Sequence, residues 1–209
     1  MIISIHVPKT AGTTFRELLA GHFGEDLCLF YAGLKSHRME PIAGVPANAR
    51  CIHGHMHARD FDHQYPAAKR IVWLRHPVER VASEFAHHRR HPNPDDELSR
   101  LAAAGDLVQF ARHPAVRSIQ ARVLQGLRVR DFAFVGISEA FDDELGRLEA
   151  VTGIGLPRGH RVNTNPARST PRYPLAPRER QILAELNRDG LEVYREALAA
   201  AGLDAALAA

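Results

Sequence analysis

Lys9 and Gly12 stand with Thr10, Thr13 and Thr14 in the stretch Val7-Pro8-Lys9-Thr10-Ala11-Gly12-Thr13-Thr14, directly after the β-branched apolar run Ile2-Ile3-Ser4-Ile5. A strand, a small-residue turn and a helix in that order aim backbone N–H groups and a helix N-terminus at one point, which suits an anion. A lysine in the turn adds a point charge that can lie along a phosphate chain. The helix is read from Phe15, Leu18 and Leu19 on one face and Arg16 and Glu17 on the other, and Thr14 with Glu17 has the spacing of a capping box. The stretch is not a Walker A loop, whose lysine follows its second glycine just before the helix; here Lys9 comes three residues before Gly12, and no acidic Walker B strand is evident. These residues predict a grip on a phosphate-bearing nucleotide by Lys9, Thr10, Ala11, Gly12, Thr13 and Thr14. For the turn alone, an ordinary βα connection with solvated side chains stays open.

Two further constellations carry chemistry. Arg75 closes the apolar run Ile71-Val72-Trp73-Leu74, and Ser83 lies near the second turn of the helix that Pro77 opens. Both can reach one anion over that helix N-terminus; alternatively, Arg75 is a surface ion-pair partner. His53, His55 and His57 alternate along the chain. On a regular strand they share a face, with successive members about 6.5–7 Å apart. Three ligands of one zinc need each nitrogen about 2.0–2.1 Å from the metal, so a metal site requires a bend at Gly54. The preferred reading is a general base, since neutral imidazole takes a hydroxyl proton near physiological pH. A purely structural histidine cluster is the alternative, and no metal is predicted.

The elements that must position these groups follow from periodicity. Strands are expected at 2–5, 27–31, 50–55, 69–75 and 132–137, with the second read as short and buried. Helices are expected after Thr13 (ended by Gly21 or Gly24), after Pro77, as short pieces over 98–125, from about Phe141 to Val151, and as a long tail from Pro177. Short strands alternating with helices give an α/β fold: a P-loop-like parallel central sheet flanked by helices on both faces, forming one domain over 1–209. Ligands of such sheets bind beyond the carboxyl ends of the strands, where Lys9, His53, His55 and Arg75 all fall. With 209 residues, 45% of them hydrophobic, the chain can bury a substantial core. A net charge of +3 suits a polyanionic nucleotide or an acidic acceptor and is too small to argue for nucleic acid. Only Lys9, Lys35 and Lys69 are lysines. The two cysteines, Cys28 and Cys51, lack metal-type spacing, and a disulfide between them stays open. The chain begins in a core strand with no signal sequence and no bilayer-spanning run, which predicts a cytoplasmic protein.

Pro8-Lys9-Thr10-Ala11-Gly12-Thr13-Thr14 resembles the 5′-phosphosulfate loop of sulfotransferases that use 3′-phosphoadenosine 5′-phosphosulfate (PAPS), and Trp73 to Ser83 is similar to their 3′-phosphate motif. His53-Gly54-His55 looks like the segment of uronosyl and heparan 2-O-sulfotransferases in which the second histidine is the base. The resemblance maps the base onto His55 with His53 as auxiliary, while His57 departs from the pattern. Phe134 to Glu139 resembles the family's Val-Gly-hydrophobic-Thr-Glu segment. Arg161 to Pro166 resembles the late loop that closes over the nucleotide and adds Asn163 and Arg168 as contacts, and Asn187 to Tyr194 looks like the C-terminal helix. The resemblance implies sulfuryl transfer from PAPS, leaving PAP, to a hydroxyl of a glycan-type acceptor, with Lys9 and His55 catalytic and no metal required. Glu84 or Glu79 is the fallback base. Arg89, Arg90, His91 and the helices over 98–125, with Arg112, Arg117 and Arg122, wall the acceptor side. Relatives in eukaryotes carry a Golgi anchor, so a bacterial cytoplasmic enzyme is expected. Two rivals remain: a small P-loop-like kinase using ATP and magnesium, and a catalytically degenerate nucleotide-binding module.

Overall fold

Every strand of the five-stranded sheet runs parallel; numbered along the chain, the strands lie side by side in the order 2-3-1-4-5. The computed structural model describes residues 1–31, 44–160, 162 and 172–208. Along the chain these form β1 (Ile2–Ile5), α1 (Gly12–Phe23), β2 (Leu27–Phe30), β3 (Cys51–Gly54), β4 (Lys69–Leu74), α2 (Pro77–Arg90), α3 (Glu97–Ala103), α4 (Leu107–Arg112), α5 (Ile119–Leu124), β5 (Phe134–Ile137), α6 (Phe141–Thr152), α7 (Pro177–Leu186) and α8 (Arg188–Ala201).

Successive strand residues serve opposite faces, as a period of two requires. Ile2, Cys51, Ile71, Trp73 and Phe134 join Phe15, Leu18 and Leu19 of α1 and Phe141, Leu145 and Leu148 of α6 in one cluster. Ile3, Ile5, Ile52, Val72, Leu74, Val135 and Ile137 join Ile119, Val123 and Leu124 of α5 and Tyr194, Ala197 and Leu198 of α8 in another. A third cluster, built on Val78 and Val81 of α2 with Phe110 and Leu183, packs the helices α2, α3, α4 and α7 together. Each fully buried large aliphatic or aromatic side chain contributes about 1.5–3 kcal/mol, so two complete faces hold the sheet rigid at its carboxyl edge.

Three expectations need correction, and the open question of the two cysteines is answered. β2 is an edge strand with Leu29 52% exposed, because it pairs only with β3. Cys28 and Cys51 are both free and buried, and burial pushes the Cys51 thiol up to about 12, which keeps it protonated and inert. The capping box at Thr14 and Glu17 does not form: α1 starts at Gly12 with Ala11 as an N-cap that makes no side-chain bond, which places Thr14 inside the first turn. The tail breaks into α7 and α8 at Asn187, whose buried amide accepts from the Ser118 N–H (3.0 Å) and donates to the Leu183 carbonyl (2.8 Å).

Candidate active site

β1 leads into a turn in which Lys9 (φ 68°) and Ala11 (φ 66°) both adopt the left-handed conformation. Neither is glycine, and each costs about 1–2 kcal/mol over a right-handed residue. Alternating such residues curls successive N–H groups toward one concave point, and strain of this kind collects at ligand sites. Thr10 is buried and its hydroxyl donates to the Val7 carbonyl (2.9 Å), closing the turn from inside. α1 then begins without a side-chain cap or an acidic residue in its first turn, so the positive end of its dipole lies open beside Lys9.

Gly12 is not there for a positive φ. A Cβ on it would lie 1.8 Å from His6 Nε2, so the glycine makes room for an imidazole. His6 is the centre of a cluster that the sequence reading missed: its ring stacks on His53 (centroids 5.3 Å apart), meets His55 (4.6 Å), and its Nδ1 shares a hydrogen bond with the Tyr31 hydroxyl (3.2 Å). His53 sits beside Ser4 across the β1–β3 register, and Ser4 Oγ and His53 Nδ1 share a bond of 2.8 Å. His53 Nε2 is buried without a hydrogen-bond partner among the described residues. His6 thus stands where sequence spacing suggested His57. His57 turns away, its N–H donating to Asp60 (2.8 Å). No bend at Gly54 is involved: it lies within β3, and a Cβ there would sit 1.6 Å from the Phe30 carbonyl oxygen of β2. Among the described residues no group of His, Cys, Asp or Glu converges as a metal-ligand set does.

At the end of β4, Arg75 Nη1 donates to the Lys9 carbonyl (3.3 Å), which ties the end of β4 to the turn after β1. The Arg75 backbone is held by Gln120 of α5, and the next N–H, that of His76, donates to Glu139 (2.9 Å). Ser138 donates to the Leu74 carbonyl (2.8 Å), so the segment after β5 ends by bracing the tip of β4. Pro77 is the first residue of α2, and Ser83 is buried on that helix. Glu84 is also buried, paired with Arg80 (2.5 Å), whereas Glu79 is committed to Arg180 (3.0 Å) and to the Tyr173 N–H (2.8 Å) on the α7 side.

Burial lowers the Lys9 ammonium to about 8, with Arg75 and Arg90 adding repulsion and Glu84 opposing. Burial also lowers His55, again against Glu84, which favours the neutral imidazole a base needs. The described residues thus bring Lys9, Arg75, His6, His53 and His55 to one carboxyl edge. Asn163 and Arg168 lie outside the described residues, as does the expected late loop except for Val162. The Val162 N–H donates to Thr14 Oγ1 (3.2 Å), which itself donates to the Val162 carbonyl (3.3 Å), and His160 Nε2 is 2.9 Å from Glu17 Oε2. Val162 and His160 are therefore both tied to α1.

No family model and no curated protein matches the sequence. Among solved structures, a sulfotransferase from Alicyclobacillus acidocaldarius superimposes with a TM-score of 0.53 at 15% identity, covering 99% of this chain and 97% of that one. The chain has the sulfotransferase fold. Mouse sulfotransferase SULT7A1 complexed with PAP is more distant, with a TM-score of 0.46 at 16% identity over 93% of this chain and 66% of that one. No helix among the described residues is long and apolar enough to cross a membrane.

In this sulfotransferase fold the histidine cluster has a consequence for stability. Burial lowers His6 from 6.5 to about 2 and His53 from 6.5 to about 3, so both stay neutral when folded, whereas the unfolded chain protonates them near 6.5. Their contribution is complete above pH 6.5 and is lost as pH falls, by up to about 1.4 kcal/mol per pH unit for each ring. The melting temperature is therefore expected to drop steadily from pH 7 to pH 5, and less so in His53→Asn. A flat wild-type curve would mean that the folded protein protonates these rings freely.

Proposed function

We propose that the protein is a PAPS-dependent sulfotransferase acting on a hydroxyl of a carbohydrate-type acceptor in a bacterial cytoplasm. One observation supports the reading: the Arg75 guanidinium donates to the Lys9 carbonyl and so lies beside the Lys9 turn, with His55 directly after β3, the strand paired with β1. A nucleotide charged at both ends fits that arrangement. The turn from Lys9 to Thr14, with the open α1 N-terminus, takes the 5′-phosphosulfate, and Arg75 with Ser83 takes the 3′-phosphate. PAPS supplies the sulfuryl group. The S–O bond to the phosphate breaks as a bond forms to the acceptor oxygen, and the hydroxyl proton passes to His55. Lys9 and the loop amides are set against the charge that builds on the departing phosphate, usually a large catalytic term. Of the fallback bases Glu84 keeps the better case, since its charge acts on both Lys9 and His55, while Glu79 is spent on α7.

The test is thermal stability with PAP, ATP or ADP, in wild type and Arg75→Ala. PAP at about a hundred times its dissociation constant should add about 2.7 kcal/mol and raise the melting temperature by about 5–10 °C. ADP, lacking the 3′-phosphate, should shift it less, and Arg75→Ala should abolish the difference. Equal shifts with PAP, ATP and ADP would sink the 3′-phosphate clasp and put the kinase reading first.

A further inference from the structure

We propose that Gln120 is a positioning residue for nucleotide selection: its amide grips both backbone polar groups of Arg75 and holds the guanidinium at the phosphate loop. The inference rests on the nucleotide reading above.

Pairing between β4 and β5 stops at Leu74 opposite Ile137, so the next residue has no partner in the β4–β5 ladder. Gln120 supplies what another strand would. The Arg75 N–H donates to Gln120 Oε1 and Gln120 Nε2 donates to the Arg75 carbonyl, each at 2.8 Å. The amide is 1% exposed and lies on a helix whose neighbours Ile119, Val123 and Leu124 all enter the apolar core. A glutamine there would be costly if unsatisfied, and its two bonds to Arg75 account for its being tolerated.

α5 is itself fixed from two sides. Ser118, in the left-handed conformation before the helix, donates its N–H to Asn187 Oδ1 (3.0 Å) and its hydroxyl to the Leu186 carbonyl (3.2 Å). Arg80, buried within α2, donates to the Val116 carbonyl (2.7 Å). The turn before α5 is pinned to α2 and to the α7–α8 junction, so Gln120 meets Arg75 from a fixed base. A side chain that reaches an anion from a rigid strand end keeps its aim; from a loosened one, it loses selectivity before it loses charge.

The experiment is titration calorimetry of PAP and ADP with wild type, Gln120→Met and Gln120→Glu, each at a temperature where circular dichroism shows it folded. Methionine keeps length and volume but neither bond; glutamate keeps the acceptor for the Arg75 N–H and loses the donor. PAP affinity should fall by about tenfold or more in Gln120→Met with ADP affinity nearly unchanged, and by less in Gln120→Glu. If Gln120→Met fails to fold, Gln120→Glu carries the comparison. A wild type that does not prefer PAP over ADP overturns the nucleotide reading itself. A wild type that does, with variants keeping the full ratio or losing both nucleotides equally, overturns the role of Gln120 alone.

Discussion

His55→Ala is expected to lower kcat by about 10²–10⁴-fold, the usual worth of a positioned general base, while PAP affinity stays within about twofold. His55 follows β3 directly, and burial holds its pKa below 6.5. The neutral form is therefore dominant at pH 7, and the sign of the pH dependence follows. Wild-type kcat/KM should fall as pH drops through the lowered His55 pKa, because the base must be unprotonated. It should fall again as pH rises past about 8, where Lys9 loses the proton that makes it a charge partner. The variant should keep the alkaline limb and lose the acid one. If PAP affinity collapses along with kcat, His55 belongs to the nucleotide site, and Glu84, buried against Arg80, becomes the candidate base.

Gly12→Ala should damage stability and transfer together. The added Cβ would lie 1.8 Å from His6 Nε2 and 1.9 Å from its Cδ2. Any movement of His6 disturbs the cluster, with His53 stacked on it, His55 against it, and Tyr31 bonded to its Nδ1. Either the first turn of α1 shifts away from the phosphate loop or the imidazole is driven into His55. Overpacking of this kind costs about 1–3 kcal/mol, and both escapes displace groups of the proposed site, so transfer should fall along with stability. The cause can be isolated in a His6→Ala background, where Gly12→Ala should cost far less. An equal cost in both backgrounds would exonerate His6 and leave the turn itself as the reason for the glycine.

Much of the geometry of the candidate site could be read beforehand because its parts are consecutive. Lys9 to Thr14 and Arg75 to Ser83 are each one strand end, one turn and one helix start, and local chain geometry delivers such groups together. The expected late-loop contacts Asn163 and Arg168 lie outside the described residues, and the bond between Val162 and Thr14 was not anticipated. His6 was overlooked because an isolated histidine between Ile5 and Val7 reads as a strand residue, and its meaning lies in the room left by Gly12. Gln120 was hidden for a similar reason: among Ile119, Val123 and Leu124 it looks like one polar residue of an amphipathic helix. A signal existed in Gly54, which the sequence offered only as the bend that a metal site would require. The close approach of the Phe30 carbonyl is what excludes a side chain.

By itself the sequence determined the parallel α/β class, the strand and helix sites to within a few residues, and the two strand–turn–helix segments proposed to grip anions. Those features are set by periodicities of two and 3.6 and by the dihedral habits of short segments, all of which act over a few residues. Only the tertiary structure decided that β1 lies between β3 and β4, that His6 rather than His57 joins His53 and His55, and that Gln120 completes the hydrogen bonding of Arg75. Strand order and the pairing of buried polar groups depend on contacts between residues far apart in the chain, such as Ser4 with His53 and Arg75 with Gln120. No local pattern encodes such pairs, because each depends on which distant segments the fold brings together and on the cost of leaving a buried polar group unpaired.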